Sequence, residues 1–244
     1  GGDAATLEGV NVGGTEAWLE WAARGGVPRV VFLSSMLAVA PSRGPRLEDA
    51  PPATGRSYGA TKARAESAVR AWGGTAGRGA VILRPAPVYG PDPRSNLLPL
   101  VRSVLAGRPV LVGRGDVARA VVSRTNLAAA VRFALSRGEG CETFNVSDRE
   151  PLTARSLACL VAEVAGAPPP RSLPLPVAAV VAPLGSLVAR LSGRTVPMSI
   201  ARLRDLRTPV DLPCDRLVAA GFRHPETTRE GLAGLVAFVR RGGS

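Results

Sequence analysis

The run Val30-Val31-Phe32-Leu33 is unbroken by any polar residue and lies between two segments of helical periodicity, and no other feature constrains the fold as much. A strand that is apolar on both faces must be covered on both, which happens where crossover helices flank a parallel sheet. The alternation continues along the chain. Asn11 to Ala23 reads as a helix stopped by Gly25-Gly26 and Pro28, and Ser57 to about Trp72 as a second, burying Ala65, Ala68, Val69 and Trp72. Ala80 to Leu83 is the next strand, ended by Arg84-Pro85. After Tyr89-Gly90-Pro91 the pattern loosens into a helix from Leu97 to Ala106 and short strands near Val110–Val112 and Ala120–Val122. Thr125 or Asn126 then caps a helix reaching Ser136, Glu142 to Val146 is a strand, and Thr153 opens a helix. The last 70 or so residues show no strand pattern of length and close on a capping box, Thr227-Thr228-Arg229-Glu230. This order predicts an α/β fold with a doubly wound parallel sheet and a smaller, mostly helical C-terminal region.

At 244 residues with 45% hydrophobic side chains the chain can bury a sizeable core, which excludes disorder and collagen-like repeats. The net charge of +12 would ordinarily suggest a nucleic-acid partner, but the basic residues are arginines scattered throughout, Lys62 excepted, and aromatics are only 4%. No nucleic acid is expected. Cys141, Cys159 and Cys214 are odd in number and far apart, which argues against disulfides and a zinc site and for small core residues in a reducing, cytoplasmic compartment. Nothing at the N-terminus reads as a secretion signal. His224, the only histidine, has no ligand partner at metal spacing, so it is expected to be structural and no metal is expected. The uncharged stretch Ser172 to Ala189 approaches bilayer-spanning length but is interrupted by Pro174, Pro176, Pro183 and Gly185. Its Val177, Val180, Val181, Leu184, Val188 and Leu191 recur at helical spacing, which predicts a helix packed on a core rather than membrane association.

Tyr58-Gly59-Ala60-Thr61-Lys62 is the sharpest chemical signal, because four residues along a helix bring a phenol and an ammonium to one face. A neighbouring cation favours phenolate, drawing the pKa down from its ordinary value near 10 and making Tyr58 a usable general acid and base. Ser34 and Ser35 follow the strand Val30–Leu33, and ligands bind at the C-terminal ends of strands in open α/β sheets. A hydroxyl there reaches the same oxygen that Tyr58 would serve.

Further motifs complete a pattern: Asn11-Val12-Gly13-Gly14-Thr15, Val31-Phe32-Leu33-Ser34-Ser35, Leu83-Arg84-Pro85-Ala86-Pro87-Val88-Tyr89-Gly90-Pro91, Thr125-Asn126-Leu127-Ala128, Phe144-Asn145-Val146 and Gly221-Phe222-Arg223-His224-Pro225. In this order and spacing they resemble the extended short-chain dehydrogenase/reductase family, the NAD-dependent epimerase/dehydratase group. The resemblance implies that Tyr58 donates and accepts the proton, that Ser35 orients the reacting oxygen, and that Lys62 holds the nicotinamide ribose. It further implies a water relay supported by Asn11, a nicotinamide ring approached by Pro85, Ala86 and Val88, and a substrate phosphate bound by Arg119. The cofactor would be NAD or NADP. The substrate would be a small molecule, a sugar nucleotide or a sterol or other secondary alcohol, and a homodimer is possible in such enzymes.

The family opens with a strand and a Gly-x-x-Gly-x-x-Gly turn that cradles the cofactor pyrophosphate, and this sequence has none. The resemblance therefore implies an incomplete Rossmann-like sheet lacking its first strands. Residues 1–146 would be the remainder of the dinucleotide-binding domain, with a substrate-region excursion over about 91–118, and 147–244 a substrate-binding helical region. The implied activity is hydride transfer at a secondary alcohol or ketone, as an oxidoreductase or epimerase, inactive in a chain without that turn. The alternative is a non-catalytic Rossmann-like binding protein or a degraded fragment. Asn126 stands where many members carry Asp.

Overall fold

The computed structural model describes residues 3–42, 44–108, 111–138, 140–192 and 200–243. In chain order the elements begin with α1 (Ala4–Glu8), a π-helical turn over Gly9–Gly13, α2 (Gly14–Arg24), β1 (Arg29–Leu33), a 3₁₀ turn over Met36–Ala38, α3 (Tyr58–Gly73) and β2 (Gly79–Pro85). They continue with β3 (Val88–Tyr89), α4 (Leu98–Leu105), β4 (Leu111–Val112), β5 (Val122–Ser123), α5 (Arg124–Leu135), β6 (Gly140–Val146) and α6 (Ala154–Val164). β7 (Ser172–Leu173), α7 (Leu175–Ser192), α8 (Ile200–Arg207), α9 (Asp215–Ala219) and α10 (Thr228–Arg240) complete the chain. Val110, expected to start a strand, lies outside the described residues.

Two compact units result. One takes in Gly1–Val88, Val121–Arg149 and Asp211–Glu226, the other Tyr89–Ala120, Glu150–Val210 and Thr227–Ser244. The division expected at 147 is thus crossed by Asp211–Glu226, which returns to the first unit because α9 packs on β6 and Arg216 pairs with Asp49.

The first unit is built on a three-stranded parallel sheet in the order β1-β2-β6. Leu33 lies opposite Leu83, and Leu83 opposite Phe144. The central strand β2 is buried from Gly79 to Arg84, as a strand covered on both faces must be. Val30, Ala80 and Ile82 form one core with Leu19 and Ala22 of α2 and Val69 and Trp72 of α3. The approach is close: a Cβ at Gly73 would come within 2.5 Å of the Ala80 Cβ, so only glycine lets the last turn of α3 reach β2. Side chains alternate along a strand, so Val81 and Leu83 point the other way, and α5 packs against β1 and β2 with Ala130 and Ala134 buried. The cap of α5 is Ser123, whose Oγ accepts from the Asn126 N–H at 3.0 Å, and not Thr125 or Asn126. The Asn126 side chain is turned elsewhere, donating to Asp148 Oδ1 at 2.8 Å and to the Glu226 carbonyl at 3.1 Å.

In the second unit α4, α6 and α10 pack together through Leu98, Val101, Leu157, Val161, Leu232 and Leu235. Capping boxes start α6 (Thr153 with Ser156) and α10 (Thr227 with Glu230), satisfying backbone donors that the first turns would leave unpaired. β4 and β7 form a short parallel pair. α7 departs from expectation. Its Val177, Val180, Val181 and Leu184 face solvent, while the smaller Ala178 and Ala182 are buried; the side chains of Val188 and Leu191 lie outside the described residues. Among the described residues no helix is long and apolar enough to cross a membrane. The cysteines also divide against expectation, with Cys214 in the core and Cys141 and Cys159 exposed.

Candidate active site

The site begins where β1 ends. The Ser34 N–H extends the ladder to the Leu83 carbonyl at 2.8 Å, and the backbone at Ser35 is still extended (φ −155°, ψ 149°). Successive residues of an extended chain point to opposite sides. The Ser34 hydroxyl goes inward and donates to Glu66 Oε1 at 2.6 Å, whereas Ser35 is half-buried and its Oγ accepts from the Leu37 N–H at 3.2 Å. Because Ser35 caps the 3₁₀ turn as an acceptor, its hydroxyl proton remains available to a ligand oxygen.

The first turn of α3 is pressed against that 3₁₀ turn. Ser57 caps the helix by accepting from the Ala60 N–H at 3.2 Å. A Cβ at Gly59 would lie 2.1 Å from the Leu37 carbonyl oxygen, so the backbone beside Tyr58 meets the backbone beside Ser35. Tyr58 is 40% exposed, and its hydroxyl has no hydrogen-bond partner among the described residues. Burial of its ring raises the phenol above its ordinary value. The expected downward pull by Lys62 is not seen in the chain by itself, for a geometric reason. Lys62 Nζ donates to the Leu33 carbonyl at 2.9 Å and rests 4.6 Å from the centre of the Phe32 ring. Burial holds that ammonium below its ordinary value, opposed by the charge of Glu66. An ammonium has three protons to donate, so two remain beyond the Leu33 contact.

Asn11 lies in the π-helical turn, a distortion frequent at functional positions. Its Nδ2 donates to Thr61 Oγ1 at 3.0 Å, and Thr61 donates in turn to the Tyr58 carbonyl at 2.8 Å. Asn11 is therefore tied to the first turn of α3 through Thr61, a residue that sequence reasoning missed. Pro85 and Pro87 carry no N–H, and Ala86 donates its own to the Val146 carbonyl at 2.8 Å. This stretch therefore offers a ligand an apolar edge.

Arg119, in the second unit, is engaged by its own surroundings. Its guanidinium donates to the Asp205 carbonyl at 2.9 Å and to the Thr208 carbonyl, tying down the C-terminal end of α8. This contact takes up the side chain that the resemblance assigned to a phosphate.

Sequence reading also missed Glu66. It lies one turn beyond Lys62, and its carboxylate accepts from Arg84 Nε at 2.8 Å and Nη2 at 2.6 Å as well as from Arg70 Nη2 at 2.9 Å and Ser34. Its i, i+4, i+8 spacing with Lys62 and Tyr58 was the available signal. A cavity of about 680 Å³ opens beside this cluster, lined by Arg70, Arg84, Glu142, Thr143 and Arg216, but by neither Ser35, Tyr58 nor Lys62. His224 Nε2 lies 2.9 Å from the Ser147 carbonyl, and no group of residues that could hold a metal occurs among the described residues.

The first unit is thus a parallel α/β sheet with Ser35, Tyr58 and Lys62 near the C-terminal end of β1. The chain belongs to the NAD dependent epimerase/dehydratase family, whose model matches residues 2–147, and so to the extended short-chain dehydrogenases/reductases. It is similar to an N-acetyl-alpha-D-glucosaminyl-diphospho-ditrans,octacis-undecaprenol 4-epimerase of Escherichia coli O157:H7, 24% identical over 227 residues that cover 91% of this chain and 69% of that protein. A UDP-glucose 4-epimerase of Streptomyces lividans is 31% identical over 179 residues, 66% of this chain and 54% of that protein. Among solved structures, a UDP-glucose 4-epimerase of Thermus thermophilus in complex with NAD is 27% identical, with a TM-score of 0.65 over 95% of this chain and 70% of that one.

Proposed function

We propose that the chain carries the catalytic face of an NAD-dependent enzyme that reversibly oxidises a secondary alcohol of a diphosphate-linked sugar, in the manner of a sugar epimerase. The observation that supports this reading is the close approach of the Gly59 backbone to Leu37, which sets the positions of Tyr58 and Ser35 side by side, while Lys62 donates to the Leu33 carbonyl at the end of β1. The substrate class rests on the two similar epimerases, whose names both specify a sugar joined through a diphosphate.

The residues suit the nicotinamide end of NAD. Lys62 has donors to spare for the ribose hydroxyls, and Pro85 to Val88 offers an apolar edge to the ring. Bound NAD would accept a hydride from the substrate carbon and return it. Tyr58 moves the proton: as phenolate it takes the hydroxyl proton while the alcohol is oxidised, and as phenol it gives that proton back to the oxygen when the carbonyl is reduced, so the burial that raises the phenol in the chain by itself favours the reducing direction. Ser35 donates to the same oxygen and fixes its position. Asn11 acts through Thr61 on the Tyr58 backbone and is a positioning residue.

The test compares Tyr58→Phe and Lys62→Met with the unsubstituted protein, each carried in a chain that includes the family's opening strand and glycine turn, using NAD and UDP-glucose and following cofactor absorbance and product. Tyr58→Phe should lower turnover about 100-fold or more with NAD affinity retained, the ordinary size of a lost general acid. Lys62→Met should weaken NAD binding. Unchanged turnover in Tyr58→Phe would overturn the assignment.

A further inference from the structure

A helix that packs on protein ordinarily turns its largest apolar residues inward. α7 does the reverse. Val177, Val180, Val181 and Leu184 form an i, i+3, i+4, i+7 stripe and are 45%, 66%, 39% and 60% exposed, whereas Ala178 and Ala182 are fully buried. Small residues let the helix sit close to its support, and α8 packs against it. Ser186 ties the two together, donating to the Ala182 carbonyl and accepting from the Ile200 N–H, each at 2.9 Å. The orientation is therefore fixed by hydrogen bonds and close packing, and the apolar stripe is held outward.

The sequence around this stripe is rich in arginine. No acidic residue occurs in the sequence between Glu163 and Asp205, while Arg171, Arg190, Arg194, Arg202 and Arg204 do. Arg171, Arg204 and Arg207 are exposed, with Asp205 the acidic residue among them on α8. We propose that α7 is a docking face for an anionic lipid bilayer, its valines and Leu184 seated among the acyl chains and the neighbouring arginines at the headgroups. An outward apolar stripe on a helix whose neighbouring segments carry exposed arginines is the pattern of a segment lying in the interface plane. Anionic headgroups attract juxtaposed arginines, and the +12 net charge adds longer-range attraction.

The inference is independent of the hydride chemistry proposed above. It is tested by flotation of the full chain with vesicles of phosphatidylcholine alone and with phosphatidylglycerol added, at low and raised ionic strength. The chain should float with the anionic vesicles, less so as salt is raised. Val180→Glu with Leu184→Glu should reduce the bound fraction about tenfold or more with the melting temperature unchanged, since both side chains are exposed. Arg204→Glu with Arg207→Glu should abolish the preference for anionic lipid, and Tyr58→Phe should float like the natural chain. Three results overturn the proposal: no flotation with anionic vesicles, equal flotation of the Val180/Leu184 variant, or a dimer that this variant dissociates without any change in lipid binding.

Discussion

Removing Glu66 and Arg84 singly and together measures the coupling within the buried ion pair under the candidate site. Both side chains are 3% exposed, and their bidentate pair spans 2.6 to 2.8 Å. In Glu66→Leu the Arg84 guanidinium stays buried and keeps its hydrogen bond to the Glu48 carbonyl, at 2.7 Å, but loses its counter-charge. Stranding one member of a buried ion pair costs about 3–5 kcal/mol. For a protein of this size that corresponds to a melting temperature lower by about 6–20 °C. Arg84→Met strands the carboxylate instead, with Ser34 and the partly exposed Arg70 as compensation, and should fall at the lower end of the same range. The double variant removes both charges and leaves neither uncompensated. It should be less damaging than the sum by about 3 kcal/mol. Urea unfolding of the four proteins gives the cycle directly. Additivity within about 0.5 kcal/mol would refute the reasoning, because it would mean that the two groups do not depend on each other.

Other outcomes follow from the same structure. Gly59→Ala forces a methyl against the Leu37 backbone, 2.1 Å from its oxygen, and should cost about 1–3 kcal/mol in thermal unfolding while pushing Tyr58 away from Ser35. Asn126→Asp places a second carboxylate 2.8 Å from Asp148 in a fully buried position. One carboxyl must then hold a proton, so the variant should lose about 1–3 kcal/mol at neutral pH and recover as pH falls, and equal losses in urea titrations at about pH 5 and about pH 8 would refute this. His224 is raised above 6.5, first by its hydrogen bond with Cys214 and then by the Ser147 carbonyl, so its protonated form stabilises the fold. That contribution is complete below 6.5 and is lost as pH rises through the folded-state value, and His224→Gln should flatten the stability profile over that window.

The parallel strands were legible because a strand buried on both faces has to be written as an apolar run, and Val30 to Leu33 and Ala80 to Leu83 are such runs. Periodicity could not show which way α7 faces. It groups Val177, Val180, Val181 and Leu184 on one side but does not say whether that side meets the core, and the answer came from Ala178 and Ala182 filling the contact. The cap of α5 was misread for a related reason: Asn126 has the chemistry of a cap, but its amide is drawn to Asp148 and Glu226, about 20 and 100 residues away along the chain, and Ser123 takes its place. At the site, spacing put Tyr58 and Lys62 on one helix face. The direction of the ammonium depended on the Leu33 carbonyl and the Phe32 ring, contacts across the sheet that no local pattern encodes.

Ser34 and Ser35 show how the scaffold and the chemistry share one stretch of backbone. An extended chain sends neighbouring side chains to opposite sides, so the serine that docks into the Glu66–Arg84 pair fixes, by geometry alone, where the next serine points. Glu66 is on the same helix as Tyr58 and Lys62, so the buried cluster holds the strand end that carries Ser35 and the helix that carries Tyr58 and Lys62 to each other. The buried Glu66–Arg84 pair is thus one layer beneath the residues assigned to the reaction. That layer lets Ser35 and Tyr58 remain partly exposed to a ligand without freedom to drift apart. Catalytic groups need this combination of open access and fixed separation, since displacement of about 1 Å is enough to lose much of the benefit of orientation.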